Sequence, residues 1–285
     1  MSDLKKFNSD LMLPKTQSYL NSVLGNEKNS FVNNIVALVS SNVKLQECET
    51  PTIMFAALKA TALKLPLDPN LGYAFIIPFR DNKNNVTVAT FQIGAKGFVQ
   101  LAMRSGQFKT VNVTDVRDGE IIKTDRLTGE ITFDWKDNRD ELPIIGYVAY
   151  MKLINGFEKS MYMTSNEIAK HGQKFSKTYK FGLWQSDFSS MAEKTVLKRL
   201  LSKYAPLSVD MQNAIRADQA VIDESGEKYL DSPENEASEK ATNIFKSALE
   251  AKTENASTET LTDEQVQTEM DKTDEQLRQE LFKKD

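Results

Sequence analysis

The chain has 285 residues, 40% hydrophobic and 27% charged, with a formal net charge of −4. These proportions suit a globular fold with a real core, and no run approaches the ~20 consecutive apolar residues of a membrane-spanning helix. The single cysteine, Cys48, excludes an internal disulfide and a cysteine-based zinc finger, and the single histidine, His171, excludes a multi-histidine metal centre.

Residues 1–29 are polar and weakly patterned, with no apolar stretch of a secretory signal and at most one short helix around Tyr19, Leu20, Val23 and Leu24. From Ser30, which reads as an N-cap, Phe31, Ile35 and Leu38 with Val32, Val36 and Val39 form an apolar helical stripe. Thr50-Pro51 opens a second helix, with Thr as N-cap and Pro at the first helical position, where its missing N–H costs nothing. That helix is predicted to run to about Leu65 and to stop at Pro66. A turn at 68–72 precedes strands over 73–79 and 86–93 around the polar loop 81–85.

Residues 94–104 return to helix, with Gly106 as the stop. Residues 108–116 alternate as a half-buried strand, and 120–123 with 130–135 form a hairpin. Strands over 144–153 and 157–163 flank Asn155-Gly156, the strongest short hairpin signal in the chain. Thr164-x-x-Glu167 is a capping box opening a short helix. A basic, aromatic loop over 173–184 leads into a longer helix over 187–204, and a final core helix is predicted over 209–222. Residues 225–262 are Ser, Thr, Glu, Ala and Asn with few apolar groups, the composition of a flexible linker. Thr262-x-x-Gln265 and Thr273-x-x-Gln276 are weak capping boxes ahead of Val266, Met270, Leu277 and Leu281, which suggests a small terminal helix. The expected organisation is an N-terminal segment 1–29, a core 30–222, an acidic linker 223–261 and an acidic tail 262–285.

Charge is distributed unevenly. Residues 1–63 hold 6 basic and 5 acidic side chains, a net of +1. Residues 64–204 hold 21 basic and 15 acidic, a net of +6, and residues 205–285 hold 9 basic and 20 acidic, a net of −11. A basic middle points to an anionic partner, and the acidic end to partner docking or competition for the basic region.

Most catalytic constellations are missing. There is no Gly-Lys dipeptide and hence no P-loop, no GxGxxG and no GxSxG. One cysteine and one histidine give little support for a Cys-His nucleophile. The acid-x-Lys pattern of some metal-dependent nucleases occurs four times, about what chance gives, and Asp134-Trp135-Lys136 is the instance on a predicted strand.

The informative region is 159–204. Lys174, Lys177 and Lys180 alternate with Phe175, Tyr179, Phe181 and Trp184. Cations suit a phosphate backbone and aromatic faces suit unstacked bases, although the same aromatics could dock on the core. On the following helix Lys194 and Lys198 share one ridge, and Arg199 and Lys203 share another roughly 140° away. Leu197, Leu200, Leu201 and Tyr204 occupy a third sector facing the core. Like charges four apart repel unless an anion compensates, which favours a bound phosphate. A second basic set, Lys96, Arg104 and Lys109, lies near Phe98, Gln107 and the helix start at Gly94 and Gly97, where small residues would admit a phosphate to backbone N–H groups.

Three blocks together resemble the RecT family of phage recombinases. They are Leu67-Asp68-Pro69-Asn70-Leu71-Gly72-Tyr73-Ala74-Phe75-Ile76-Ile77-Pro78-Phe79, the run from Phe91-Gln92-Ile93-Gly94-Ala95-Lys96-Gly97-Phe98 to Gln107, and Trp184 through Met191-Ala192-x-Lys194-Thr195-Val196-Leu197-x-Arg199-Leu200-Leu201. Order and spacing match the family over about 31–220, and Ala95 departs from it, standing where many relatives have a bulkier residue. The resemblance implies an α+β core of antiparallel β-sheet and hairpins packed on a long helix, with a helical N-terminal part and a flexible acidic C-terminal tail. It implies ATP-independent binding of single-stranded DNA, annealing of complementary strands through a duplex intermediate, and strand invasion, by a homo-oligomeric ring or helical filament.

On this reading the chain is not an enzyme and needs no cofactor, with a divalent cation such as magnesium only modulating DNA binding. The expected partners include a phage exonuclease and a host single-strand-binding protein, and the expected location is the cytoplasm of a bacterial host, away from membranes. The expected DNA-binding residues are Lys96, Phe98, Arg104, Gln107, Lys109, Lys174, Lys177, Tyr179, Lys180, Lys194, Lys198, Arg199 and Lys203. A metal-dependent nuclease and a non-annealing single-strand-binding scaffold are the alternatives.

Overall fold

The computed structural model describes residues 3–229, except 177, 181 and 225. The expected linker and acidic tail, with their two weak capping boxes, lie outside the described residues.

The N-terminal segment holds two helices where the sequence suggests one. They are α1 (Asp3–Leu11) and α2 (Pro14–Leu24). Phe7, Leu11 and Leu20 are at most 2% exposed, so both helices dock through apolar side chains. Helix α3 (Lys28–Ser41) buries Phe31, Val32, Ile35 and Val39. Ser30 lies within it rather than capping it. A short helix α4 (Val43–Gln46), capped by the Asn42 side chain, precedes α5 (Thr50–Ala62). Pro51 sits in the first turn of α5 as predicted, but the Thr50 hydroxyl donates to Asp10 Oδ2 at 2.7 Å instead of capping. Small side chains on α5 (Ala56, Ala57 and Ala60, all buried) let it lie close against a sheet.

That sheet begins with the hairpin β1 (Ala74–Asp81) and β2 (Val86–Ile93), in register from Ala74↔Ile93 to Asp81↔Val86. Helix α6 (Ala95–Arg104) follows, then β3 (Phe108–Arg117) and a small hairpin of β4 (Ile121–Thr124) and β5 (Ile131–Phe133). Strands β6 (Ile144–Leu153) and β7 (Glu158–Thr164) join β3 in an antiparallel sheet of order β3-β6-β7. Gly156 supplies the turn between β6 and β7 at φ +89°, as Asn-Gly predicts. The Thr164–Glu167 capping box forms in full and starts α7 (Ser165–Phe175).

A single turn, α8 (Leu183–Ser186), leads into α9 (Phe188–Tyr204), which crosses the β3-β6-β7 sheet. Its Val196, Leu197, Leu200 and Leu201 have no exposure, while Tyr204 is half-buried. The fold class is α+β with antiparallel sheets packed on a long helix.

One predicted element is wrong in kind. The helix expected over 209–222 stops early: α10 (Val209–Ala217) gives way to β8 (Ala220–Asp223) and β9 (Gly226–Lys228). Gln219 takes φ +72° and its N–H donates to Phe91 O at 2.7 Å, turning the chain onto the free edge of β2. The buried, β-branched Val221 and Ile222 then complete a sheet of order β1-β2-β8-β9.

Candidate nucleic-acid interface

Helix α9 carries four of the expected DNA-binding cations, and its two ridges have different surroundings. On one ridge Lys194 Nζ and Lys198 Nζ reach the two oxygens of Asp218 at 2.8 and 2.7 Å. Ile93 N–H donates to Asp218 Oδ1 at 2.9 Å. Lys194 is 6% and Asp218 2% exposed. Burial opposes ionisation here, yet the two ammonium groups and the Ile93 N–H hold the Asp218 carboxyl at about 2. The anion that compensates the lysine pair is therefore a side chain of the same protein. Lys194 leaves the set of residues expected on DNA, because an ammonium in a buried ion pair is not free for a phosphate; Lys198, whose side chain keeps 27% exposure, is held by the same carboxylate.

The other ridge faces outward. Arg199 lines an open groove of about 490 Å³, whose other walls are Met161, Tyr162 and Met163 of β7 and Glu167, Lys170, His171 and Lys174 of α7. Lys170 and Lys174 are four apart on α7 and both exposed. Glu167, the acid in this lining, is engaged in the cap: it accepts from Thr164 N–H at 2.9 Å and from the Thr164 hydroxyl at 2.9 Å. Those hydrogen bonds hold its carboxyl below the usual range. Lys203, one turn beyond Arg199, is exposed with its ammonium 5.0 Å from the Tyr204 ring centroid, and Lys159 of β7 lies 5.5 Å from the same centroid. Together these residues make a basic strip along β7, α7 and α9 with aromatic and thioether surfaces in its floor.

The aromatic loop is largely structural. An added Cβ at Gly172 would stand 2.8 Å from the Tyr179 ring and 3.0 Å from Trp184, so both rings pack closely against α7 where it has no side chain. Trp184 is 5% exposed and Tyr179 half-buried, with centroids 5.6 Å apart. Trp184 is a core residue, and Tyr179 presents only part of its ring. Phe175 is the more exposed aromatic, packed on His171 at 4.6 Å and beneath the Lys174 ammonium at 5.1 Å. Lys180 is exposed, and Lys177 and Phe181 lie outside the described residues.

The second basic set divides. Phe98 has no exposure and cannot stack on a base, which corrects its expected role. The Arg104 guanidinium caps the end of α5, donating to Leu63 O at 2.5 Å and Lys64 O at 3.4 Å. Lys96, Gln107 and Lys109 are exposed but do not line the groove. Gly94 and Gly97 serve the fold. A Cβ at either would come within 2.1 Å of Gly72 O or 2.2 Å of Tyr73 O, so the close approach their size permits is that of the 72–73 backbone.

Of the thirteen residues expected on DNA, the groove unites Lys174 and Arg199, with Lys203 beside Arg199 on α9. The groove also brings in Lys170, His171, Tyr162 and Met161, which the sequence reading does not select. The available signal was the i,i+4 pair Lys170/Lys174 just past a capping box, which places both on one face of a short helix.

A sequence model of the RecT family matches residues 29–235. The chain belongs to the RecT family. Single-stranded DNA binding and annealing in DNA recombination are that family's role. The chain is similar to the uncharacterized protein YqaK of Bacillus subtilis (strain 168), at 42% identity over 205 residues that cover 72% of this chain and 69% of that protein. It is also similar to protein RecT of Escherichia coli (strain K12), at 28% identity over 180 residues, 61% of this chain and 65% of that protein. The RecT match takes in β2, α6, α7 and α9, so both the ionic knot at Asp218 and the outward groove lie within it.

The residues behind the alternatives are also placed. Asp134 pairs with Lys136, and the nearby acids Asp115 and Glu120 are matched by Arg117 and Arg139. Among the described residues no three His, Cys, Asp or Glu side chains converge as metal ligands would. Cys48 is buried, which with the neighbouring Glu47 pushes its thiol up to about 12, so no thiolate forms near neutrality.

Proposed function

We propose that this chain holds single-stranded DNA by its phosphates along the β7–α7–α9 strip and anneals it to a complementary strand without ATP. The observation that supports this reading most directly is the convergence of Lys170, Lys174 and Arg199 on one open groove within the RecT-matched region. Annealing requires that base edges stay exposed to the second strand. A surface of flexible cations over apolar side chains meets that need, because phosphate contacts fix register without reading sequence. Affinity should then be sequence-tolerant and fall steeply with salt. Base pairing supplies the specificity, and the protein supplies local concentration and alignment.

The same reading includes assembly into a ring or filament, strand invasion, cooperation with a phage exonuclease and a host single-strand-binding protein, and action in the bacterial cytoplasm. Magnesium would modulate DNA binding without entering a reaction. Among the described residues no helix is long and apolar enough to cross a membrane.

The test is annealing of two complementary labelled oligonucleotides, without ATP, over a salt series. Faster annealing of intact strands, lost as salt rises, is the expected result. Tight binding without faster annealing would make the protein a coating scaffold, and magnesium-dependent cleavage would make it a nuclease.

A further inference from the structure

His171 is the chain's single histidine, and phosphate holding by lysine and arginine gives it no task. It is half-buried in the groove wall. Arg199 Nη1 stands 3.5 Å from His171 Nδ1. A guanidinium only donates, so in this arrangement Nδ1 is the acceptor and the imidazole carries its proton on Nε2. Charged and titratable neighbours come from three elements: Glu167, Lys170 and Lys174 from α7, Lys198 and Arg199 from α9, and Tyr162 from β7. Glu167 is engaged by Thr164, Lys198 by Asp218, and burial pushes the Tyr162 phenol up so that it stays neutral. The charges facing the groove are the three cations Lys170, Lys174 and Arg199 and the one Glu167 carboxylate, so the cations are in excess. Burial first, then Arg199, Lys198 and Lys174, hold the imidazole below its ordinary value and keep it neutral at pH 7 in the free protein.

We propose that His171 is a proton-coupled phosphate ligand: a DNA phosphate seated in the groove draws Arg199 off Nδ1, and the freed imidazole takes up one proton and becomes a further charged contact to that phosphate. This rests on the groove being the DNA site. The proton comes from the buffered solvent and adds to the Nδ1 lone pair, and no covalent bond is broken. The phosphate charge offsets the cations that disfavour an imidazolium. Because the complex then holds the proton more tightly than the free protein does, affinity rises as pH falls between the two imidazole pKa values. The limit for one proton is about tenfold per pH unit.

The experiment uses the full chain and an oligothymidylate, whose phosphodiesters and bases keep their charge from about pH 6 to 8. Calorimetric titration at about pH 7 in two buffers of different ionisation enthalpy counts the protons taken up. Uptake of up to about one proton per DNA-occupied subunit, with several-fold tighter binding at about pH 6 than at about pH 8, is expected. Both should vanish in His171→Gln. Intact binding with no proton uptake overturns the proposal and leaves the annealing function standing. Uptake that persists in His171→Gln also overturns it, by assigning the proton elsewhere. No binding of single strands at all overturns the annealing reading and this proposal together. A readout without any variant is the pair of C–H resonances of the chain's one imidazole, titrated in free and DNA-bound protein: a higher pKa in the complex supports the coupling, and equal values overturn it.

Discussion

Lys194 and Lys198 on one ridge of α9, and Arg199 and Lys203 on the other, share the same four-residue spacing but not the same surroundings. The first pair closes on Asp218 beside the Ile93 N–H and holds α9, the end of α10 and strand β2 together. The second pair faces outward, Arg199 into the groove and Lys203 against Tyr204. A like-charge repeat on a helix therefore announces a compensating anion without saying whether that anion is a ligand or a carboxylate of the same chain. Burial distinguishes the two: an ion pair removed from water cannot lose one partner without stranding a buried charge, while an exposed cation exchanges its partners at little cost.

The strongest test of this contrast removes the shared carboxylate. Asp218→Ala leaves the Lys194 ammonium buried without a partner and should cost about 3–5 kcal/mol, read as a lower urea midpoint. A fully stable variant would mean that the knot contributes little. Acid should act on the same group more gently. The Asp218 carboxyl lies at about 2 when folded against an ordinary 3.8. Its stabilisation is therefore complete above about pH 5 and is lost as pH falls toward 2, on the order of a few kcal/mol. Asp218→Asn should lack this part of the pH dependence of unfolding, and an unchanged dependence would assign it to other carboxylates.

The glycines at the start of α6 extend the comparison to a second site of expected phosphate contact. Gly97→Ala sets a methyl against Tyr73 O and Ile93 and should lower stability by about 1–3 kcal/mol. The folded fraction should keep its salt dependence of DNA binding, whereas a selective loss of DNA affinity would return this helix start to the interface. The smallest stability effects belong to the outer ridge. Arg199→Ala and Lys203→Ala should each change unfolding free energy by less than about 0.5 kcal/mol while lowering the salt slope of DNA binding by about one. A wild-type slope in both variants would remove α9 from the interface.

Much of the fold was legible in the sequence because its signals are local. The Thr164–Glu167 box, the Asn155-Gly156 turn and the Leu197, Leu200 and Leu201 sector are set by residues within a few positions of one another, and all three appear where periodicity and capping place them. The 209–222 segment misled for the opposite reason: Val221 and Ile222 suit a helix stripe as well as a strand, and only the free edge of β2 selects the strand.

For the site, sequence alone determined the residue types: a basic, aromatic stretch without a P-loop, and a pattern shared with the RecT family. Tertiary structure decided the role of each cation. Lys194 and Lys198 went to a carboxylate twenty or more residues away, Phe98 to the core, and Lys170 and His171 to the groove, because burial and ion pairing depend on which distant elements meet around α9 and not on spacing along it.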